Sequence, residues 1–397
     1  MIFISIFFAL GLTLIAFARP EPPINCPGLP DDFTLQNYTK LTDPFTDVRG
    51  KKITTKQQWA CRRQEISQLL QQYELGPLPP KPARFFATFQ DGVLNITTFE
   101  GSKYTSFAVQ VVGNEAGTSR QPIPAIISLG GLSIPKPDGI ASITFNNDEI
   151  ANQGGLQSRG VGKFYDLYGS DHPASATIAW AWGVARIIDA LEGTTGHNID
   201  PTKLALTGCS RNGKGTIVAG AFNDRIALTI PQESGTGGTG CWRIADQNEV
   251  EGVNVQTLRE IVTENVWFSP TLDEFVNKTT LLPFDHHLLA ALIAPRALLD
   301  VASSAFSWLG PESQFGCMKT AHKVWEALGV PDNMGISEIG DHNHCAFPDT
   351  QQGDLDAYIQ KFLLGQDSDT NILKTDLEDN AGFVEKDWIE WATPTLA

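Results

Sequence analysis

The chain has 397 residues, 42% of them hydrophobic and 19% charged, which is enough to bury a large core and excludes a disordered tail, a collagen-like chain and a peptide hormone. Lys and Arg total 29 against 45 Asp and Glu, a formal net charge of −16. Nucleic acid is therefore not an expected partner, because phosphate binding needs a cationic surface, and the acidic surface is read as solubilising.

Residues 1–18, MIFISIFFALGLTLIAFA, carry no charged side chain and end in Ala16-Phe17-Ala18. They read as a secretory signal cut after Ala18, which predicts a secreted, extracellular protein. The rival reading, a membrane anchor, is disfavoured: the run is at the short limit for a span and Arg19-Pro20-Glu21-Pro22-Pro23 follows at once. The Pro-rich lead EPPINCPGLPDDF runs straight into globular sequence with no linker, so residues 19–397 are expected to form one domain without a separate carbohydrate-binding module. Gln57 to Tyr73 has helical spacing and stops at Gly76-Pro77. From about residue 84 to 113 three alternating, β-branched and aromatic segments predict antiparallel strands.

Beyond residue 124 short apolar strands alternate with helical segments, the sign of a parallel sheet with crossover helices. Strands are expected at 125–129, 203–207, 226–231, 296–303 and 336–339. Helices are expected at 176–192, capped by Gly193, and at 318–328, with another near the C-terminus. A doubly wound α/β domain is the fold class these elements define.

Six cysteines, Cys26, Cys61, Cys209, Cys241, Cys317 and Cys345, form an even set without CxxC spacing, which favours disulfides over zinc and leaves the pairing open. Asn37, Asn95 and Asn277 head glycosylation sequons. The sharpest local motif is GCSRNGKG at 208–215, between a predicted strand and a helix-compatible run. A Ser flanked by Gly at such a corner suits a nucleophile elbow, although the second glycine falls one position later than in G-x-S-x-G. A phosphate loop would need Ser or Thr where Gly215 stands. Glu233, in PQESG, and His344, in GDHNHCAF, follow later strands, so the chain order is Ser, acid, His. Asp300, within RALLDVAS, rivals Glu233 as the acid. His342 and His344 could form a metal pair but lack a third ligand of recognisable spacing. His322 reads as a surface or packing residue.

GCSRNGKG, PQESG followed by GGTGCWR, WLGP at 308–311 and HCAF at 344–347 together resemble the fungal glucuronoyl esterases, carbohydrate esterases of the α/β-hydrolase fold. The resemblance spans about residues 26 to 375. It implies a mostly parallel central sheet with antiparallel N-terminal strands, and Ser210 as nucleophile, His344 as base, Glu233 as acid and Arg211 at the oxyanion. It implies sugar contacts from Lys214, Gln256, Glu264 and Trp308, and disulfides Cys26–Cys61, Cys209–Cys345 and Cys241–Cys317. The activity implied is hydrolysis of esters between 4-O-methyl-glucuronate side chains of glucuronoxylan and lignin alcohols, by a monomer with no metal or organic cofactor. The alternatives are another secreted carbohydrate esterase, of the acetyl xylan or pectin methyl type, and a non-catalytic sugar-binding homologue.

Overall fold

Residues 26–113 and 121–397 are described by a computed structural model; the expected secretory signal lies outside the described residues. Three strands, β1 (Arg84–Gln90), β2 (Val93–Glu100) and β3 (Lys103–Val112), form an antiparallel meander. Asp91, Gly92 and Gly101 take positive φ in its two tight turns, as two-residue hairpins require. Thr105, Phe107, Val109 and Val111 of β3 point inward and alternate with exposed residues. β4 (Ile123–Leu129) then breaks that alternation, being buried along almost its whole length.

Six further strands follow: β5 (Ala141–Phe145), β6 (Ile199–Cys209), β7 (Leu228–Gln232), β8 (Ala297–Ala302), β9 (Met334–Glu338) and β10 (Leu373–Thr375). They complete a ten-stranded sheet of order β1-β2-β3-β5-β4-β6-β7-β8-β9-β10. Pairing is antiparallel from β1 to β5 and parallel from β5 to β10. Strand side chains alternate, so the sheet feeds two apolar layers. Ile127, Leu206 and Leu298 face a large core built with helices Lys56–Leu70, Ala176–Gly193, Arg211–Ala221 and Pro311–Leu328, whereas Ile126, Ala205 and Leu299 pack on Leu355, Tyr358 and Ile359 of helix Asp349–Phe362.

Three helix ends show how local chemistry sets the boundaries. Helix Lys56–Leu70 begins in a capping box between Thr55 and Gln58, widens into a π turn at Gln71–Leu75 and stops at Gly76 with φ 74°. Helix Ala176–Gly193 differs from expectation: its C-cap is Thr194, and Gly193 is its last helical residue. A Cβ on Gly193 would lie 3.3 Å from the Phe85 ring, so the glycine serves packing rather than a left-handed cap. Helix Pro311–Leu328 starts well before Met318 because Pro311, pre-set for the first turn, follows Gly310. On this helix His322 is 6% exposed and its Nε2 lies 3.1 Å from the Pro331 carbonyl, a packing role.

The cysteines pair as the resemblance implied, Cys26–Cys61, Cys209–Cys345 and Cys241–Cys317. Asn37, Asn95 and Asn277 are all exposed. No helix among the described residues is long and apolar enough to cross a membrane.

Candidate active site

At the end of β6 the chain turns sharply at Ser210, whose φ of 58° and ψ of −126° are strained for an L-residue, and helix Arg211–Ala221 begins at once. The turn explains the displaced glycine. A Cβ on Gly208 would stand 2.8 Å from the Asn212 carbonyl oxygen, and one on Gly213 would stand 2.7 Å from the Gln232 carbonyl oxygen. The helix therefore approaches β7 most closely at position 213. Position 212 is free to carry Asn212, whose amide oxygen accepts hydrogen bonds from Asn147 at 3.0 Å and Gln153 at 3.4 Å.

Glu233 follows β7 directly. Its backbone N–H donates to Val301 at 2.7 Å, its φ is 43°, and it is fully buried. Besides a long 3.5 Å contact from the Gln232 side-chain amide to Oε1, three groups converge on its carboxylate. His344 Nδ1 donates to Oε2 at 2.6 Å, the Cys345 backbone N–H to Oε2 at 3.0 Å, and His342 Nε2 to Oε1 at 3.1 Å. Such charge-assisted bonds fix ring orientation, and with Nδ1 donating, Nε2 of His344 is the nitrogen left to take a proton. Asp341 and Cys345, at φ 62° and 65°, bend the loop so that both imidazoles reach one acid. The Cys209–Cys345 bridge joins the residue before Ser210 to the residue after His344.

Ser210 and His344 open into a cleft of about 610 Å³, which Arg211, Lys214, Gln256, Glu264 and Trp308 also line. The structure thus brings together the site residues the resemblance implied, with Glu233 behind His344. The Trp308 ring stands nearly perpendicular to the His344 imidazole at 4.9 Å, with Phe306 at 5.7 Å. Gln256 donates from its side-chain amide to Glu264 at 2.9 Å and from its backbone to the Trp308 carbonyl at 3.0 Å, so three lining residues hold one another. Lys214 is only 3% exposed, and Nζ donates to the carbonyls of Ser234 at 2.6 Å and Thr236 at 2.7 Å. Burial pushes its ammonium down to about 7, and the charge of Glu264 pulls the other way. Arg211 is exposed, and its backbone N–H is the first of the helix, a position where such groups lack an intrahelical acceptor.

Asp300 sits within β8, fully buried, and does not line the cleft. Burial raises it to about 8, opposed by the Thr239 hydroxyl. Glu233, not Asp300, meets His344. Among the described residues, one group has ligand atoms close enough to hold a metal, Cys209, His344 and Cys345, but both sulfurs are spent in the disulfide and offer no thiolate. A second cleft, of about 530 Å³, lies at the far end of helix Arg211–Ala221, beside Ala221 and Phe222; neither Ser210 nor His344 lines it.

Two contributors were not anticipated. His342 holds the carboxylate oxygen that His344 does not, and its adjacency in GDHNH was the available signal. Trp267, also in the cleft lining, is held by its indole N–H donating to Gln153 at 2.9 Å, a contact between residues too far apart in sequence to be foreseen.

A serine at a strained strand-to-helix turn, an acid past the next strand and a histidine past a later one, on a mostly parallel sheet covered by helices on both faces, define an α/β-hydrolase fold. The family model described as glucuronyl esterase of fungi matches residues 96–329, and the chain belongs to that family. It is 54% identical over 372 residues to a 4-O-methyl-glucuronoyl methylesterase of Hypocrea jecorina, covering 94% of this chain and 79% of that protein. A Neurospora crassa protein of the same description is 49% identical, with 98% of each chain covered. Among solved structures, the glucuronoyl esterase catalytic domain from Hypocrea jecorina gives a TM-score of 0.89 at 53% identity, covering 93% of this chain and 100% of that one. The same TM-score, at 49% identity over 94% of this chain and 100% of the other, relates it to a serine-to-alanine mutant of the Sporotrichum thermophile glucuronoyl esterase in complex with methyl 4-O-methyl-β-D-glucopyranuronate.

Proposed function

We propose that this protein is a secreted esterase that cleaves the bond between the carboxyl group of 4-O-methyl-glucuronate side chains of glucuronoxylan and lignin alcohols. It acts through Ser210, His344 and Glu233. The observation that carries this reading is the 2.6 Å bond from His344 Nδ1 to buried Glu233, made at a cleft that also presents Ser210 and a set of polar groups suited to a sugar acid. His344 Nε2 takes the proton of Ser210 Oγ as it attacks the ester carbonyl, and Glu233 stabilises the imidazolium that forms. The backbone N–H of Arg211, at the positive end of its helix, and the Arg211 guanidinium receive the tetrahedral oxyanion. His344 then protonates the leaving alcohol, and water releases the glucuronate from Ser210.

Lys214 and the linked Gln256–Glu264 pair bind ring hydroxyls, and Trp308 offers an apolar surface to the sugar. The chemistry calls on no metal and no organic cofactor. Residues 1–18 are removed on secretion, and residues 19–397 act as one catalytic unit, a monomer. The test is initial rates on methyl and benzyl glucuronate, on the matching galacturonate ester and on acetylated xylan. Hydrolysis of the glucuronate esters in preference to the others is expected; release of acetate alone would overturn the assignment.

A further inference from the structure

The outer meander carries a face that the esterase reading does not use. The strand register arranges its outward side chains in rows: Thr88, Asn95 and Ala108, then Phe86, Thr97 and Ser106, then Arg84, Phe99 and Tyr104. Phe86 is 63% exposed and Tyr104 66%. Phe86 meets the Phe99 ring edge-on at 5.7 Å, Phe99 and Tyr104 lie 5.9 Å apart with their planes tilted by 32°, and the Arg84 guanidinium stands 4.5 Å over Phe99. A contiguous aromatic surface at the edge of a sheet invites association unless something covers it.

The sequon stands on this same face. Asn95 and Thr97 both point outward, Asn95 is exposed, and the Thr97 hydroxyl shares a 2.8 Å hydrogen bond with Ser106. Same-face residues along a strand are about 7 Å apart, so the aromatic rows begin within reach of the first two sugars of a glycan on Asn95 Nδ2. The floor between them is made of small side chains, three hydroxylated (Thr88, Thr97, Ser106) and one a methyl group (Ala108), which leaves room for a pyranose ring, and the apolar side of such a ring packs against Phe and Tyr. We infer that Asn95 is an N-glycosylation site whose first sugars run along β2 toward Phe99 and cover Phe86, Phe99 and Tyr104. The glycan is then a packed part of this face, not a solvated appendage.

This inference shares with the proposed function only the passage through the secretory pathway, and it is independent of the triad. The full chain, secreted from a yeast or filamentous host, is analysed by glycopeptide mass spectrometry. Thermal midpoints are then compared with and without Asn95→Gln, in the wild type and in a Phe86→Ala/Tyr104→Ala background. Occupied Asn95 is expected, with a midpoint loss on the order of 2 °C on Asn95→Gln in the wild type, little or no loss in the double-alanine background, and unchanged esterase activity in all four proteins. Unmodified Asn95 beside an occupied Asn37 or Asn277 would overturn the inference while leaving secretion intact. If all three sites were bare, the inference would fall and secretion would stand, because the protein is recovered from the medium. Equal midpoint losses in the two backgrounds, or glucuronoxylan binding that needs Phe86 and Tyr104 while Asn95 is occupied, would also overturn it.

Discussion

Replacing Cys209 and Cys345 together by Ser separates what the bridge does for stability from what it does for the site. Its two cysteines are 136 residues apart, but the intact Cys241–Cys317 bridge spans 76 of those residues, so the loop released is effectively about 60 residues long. Loop-closure entropy for that length is worth about 4 kcal/mol. With an unfolding entropy of about 2 cal/mol/K per residue, the thermal midpoint of a chain this size should fall by about 5 °C. The same estimate for Cys26–Cys61, whose cysteines are 35 residues apart, is also about 4 kcal/mol. The two losses of stability should therefore be alike. Activity should differ, because Cys345 donates its backbone N–H to Glu233 and Cys209 precedes Ser210, whereas neither Cys26 nor Cys61 lines the cleft. A displacement of about 1 Å at such a dyad costs on the order of a hundredfold in rate. Differential scanning calorimetry and steady-state kinetics, run well below both midpoints, should find kcat reduced on the order of ten- to a hundredfold in the Cys209→Ser/Cys345→Ser protein and unchanged in the Cys26→Ser/Cys61→Ser protein. Equal kcat in the two variants would refute the reasoning.

Three further outcomes follow from the same geometry. His342→Ala removes one charge-assisted donor from Glu233, so kcat should drop about tenfold with KM unchanged, and His342→Gln, which keeps an N–H, should recover part of the loss; a fall in melting temperature without that kinetic split would contradict the role. Asp300 titrates at about 8 when folded, against about 4 in the unfolded chain, so between these values the native state holds a proton the unfolded state has released, and stability falls as pH rises across that window. Asp300→Asn should therefore keep its activity and gain stability progressively above pH ~4, by at most about 4 kcal/mol at pH ~7, and a pH-independent gain in calorimetry would refute this. Lys214, with burial bringing it to about 7, should lose its positive charge as pH rises through neutrality; KM for a glucuronate ester should climb over that range in the wild type and be high and flat with pH in Lys214→Met.

Much of this was legible because the signals are local. Period-two alternation marked β1 to β3, and apolar runs marked β4, β6 and β8. Ser, acid and His fell after successive strands, and the spacing of GCSRNGKG marked the turn even with its glycine displaced. What was not legible depends on tertiary contact. β5, only five residues long and carrying Ser and Thr, is a strand because β3 and β4 flank it. β10 has three residues and pairs with β9 alone. Gly193 looked like a cap because nothing in the sequence places Phe85 against it. The sequence favours Glu233 over Asp300, whose apolar neighbours put it inside a strand; what it does not show is the left-handed turn at Glu233 that carries the carboxylate out of the sheet to the histidines.

The central claim is that Ser210 attacks a glucuronate ester. Its most direct test is kcat/KM of Ser210→Ala on the methyl ester of 4-O-methyl-glucuronic acid, with circular dichroism to establish that the variant is folded. A loss of at least about a thousandfold is predicted. A folded variant within tenfold of the wild type would contradict the account.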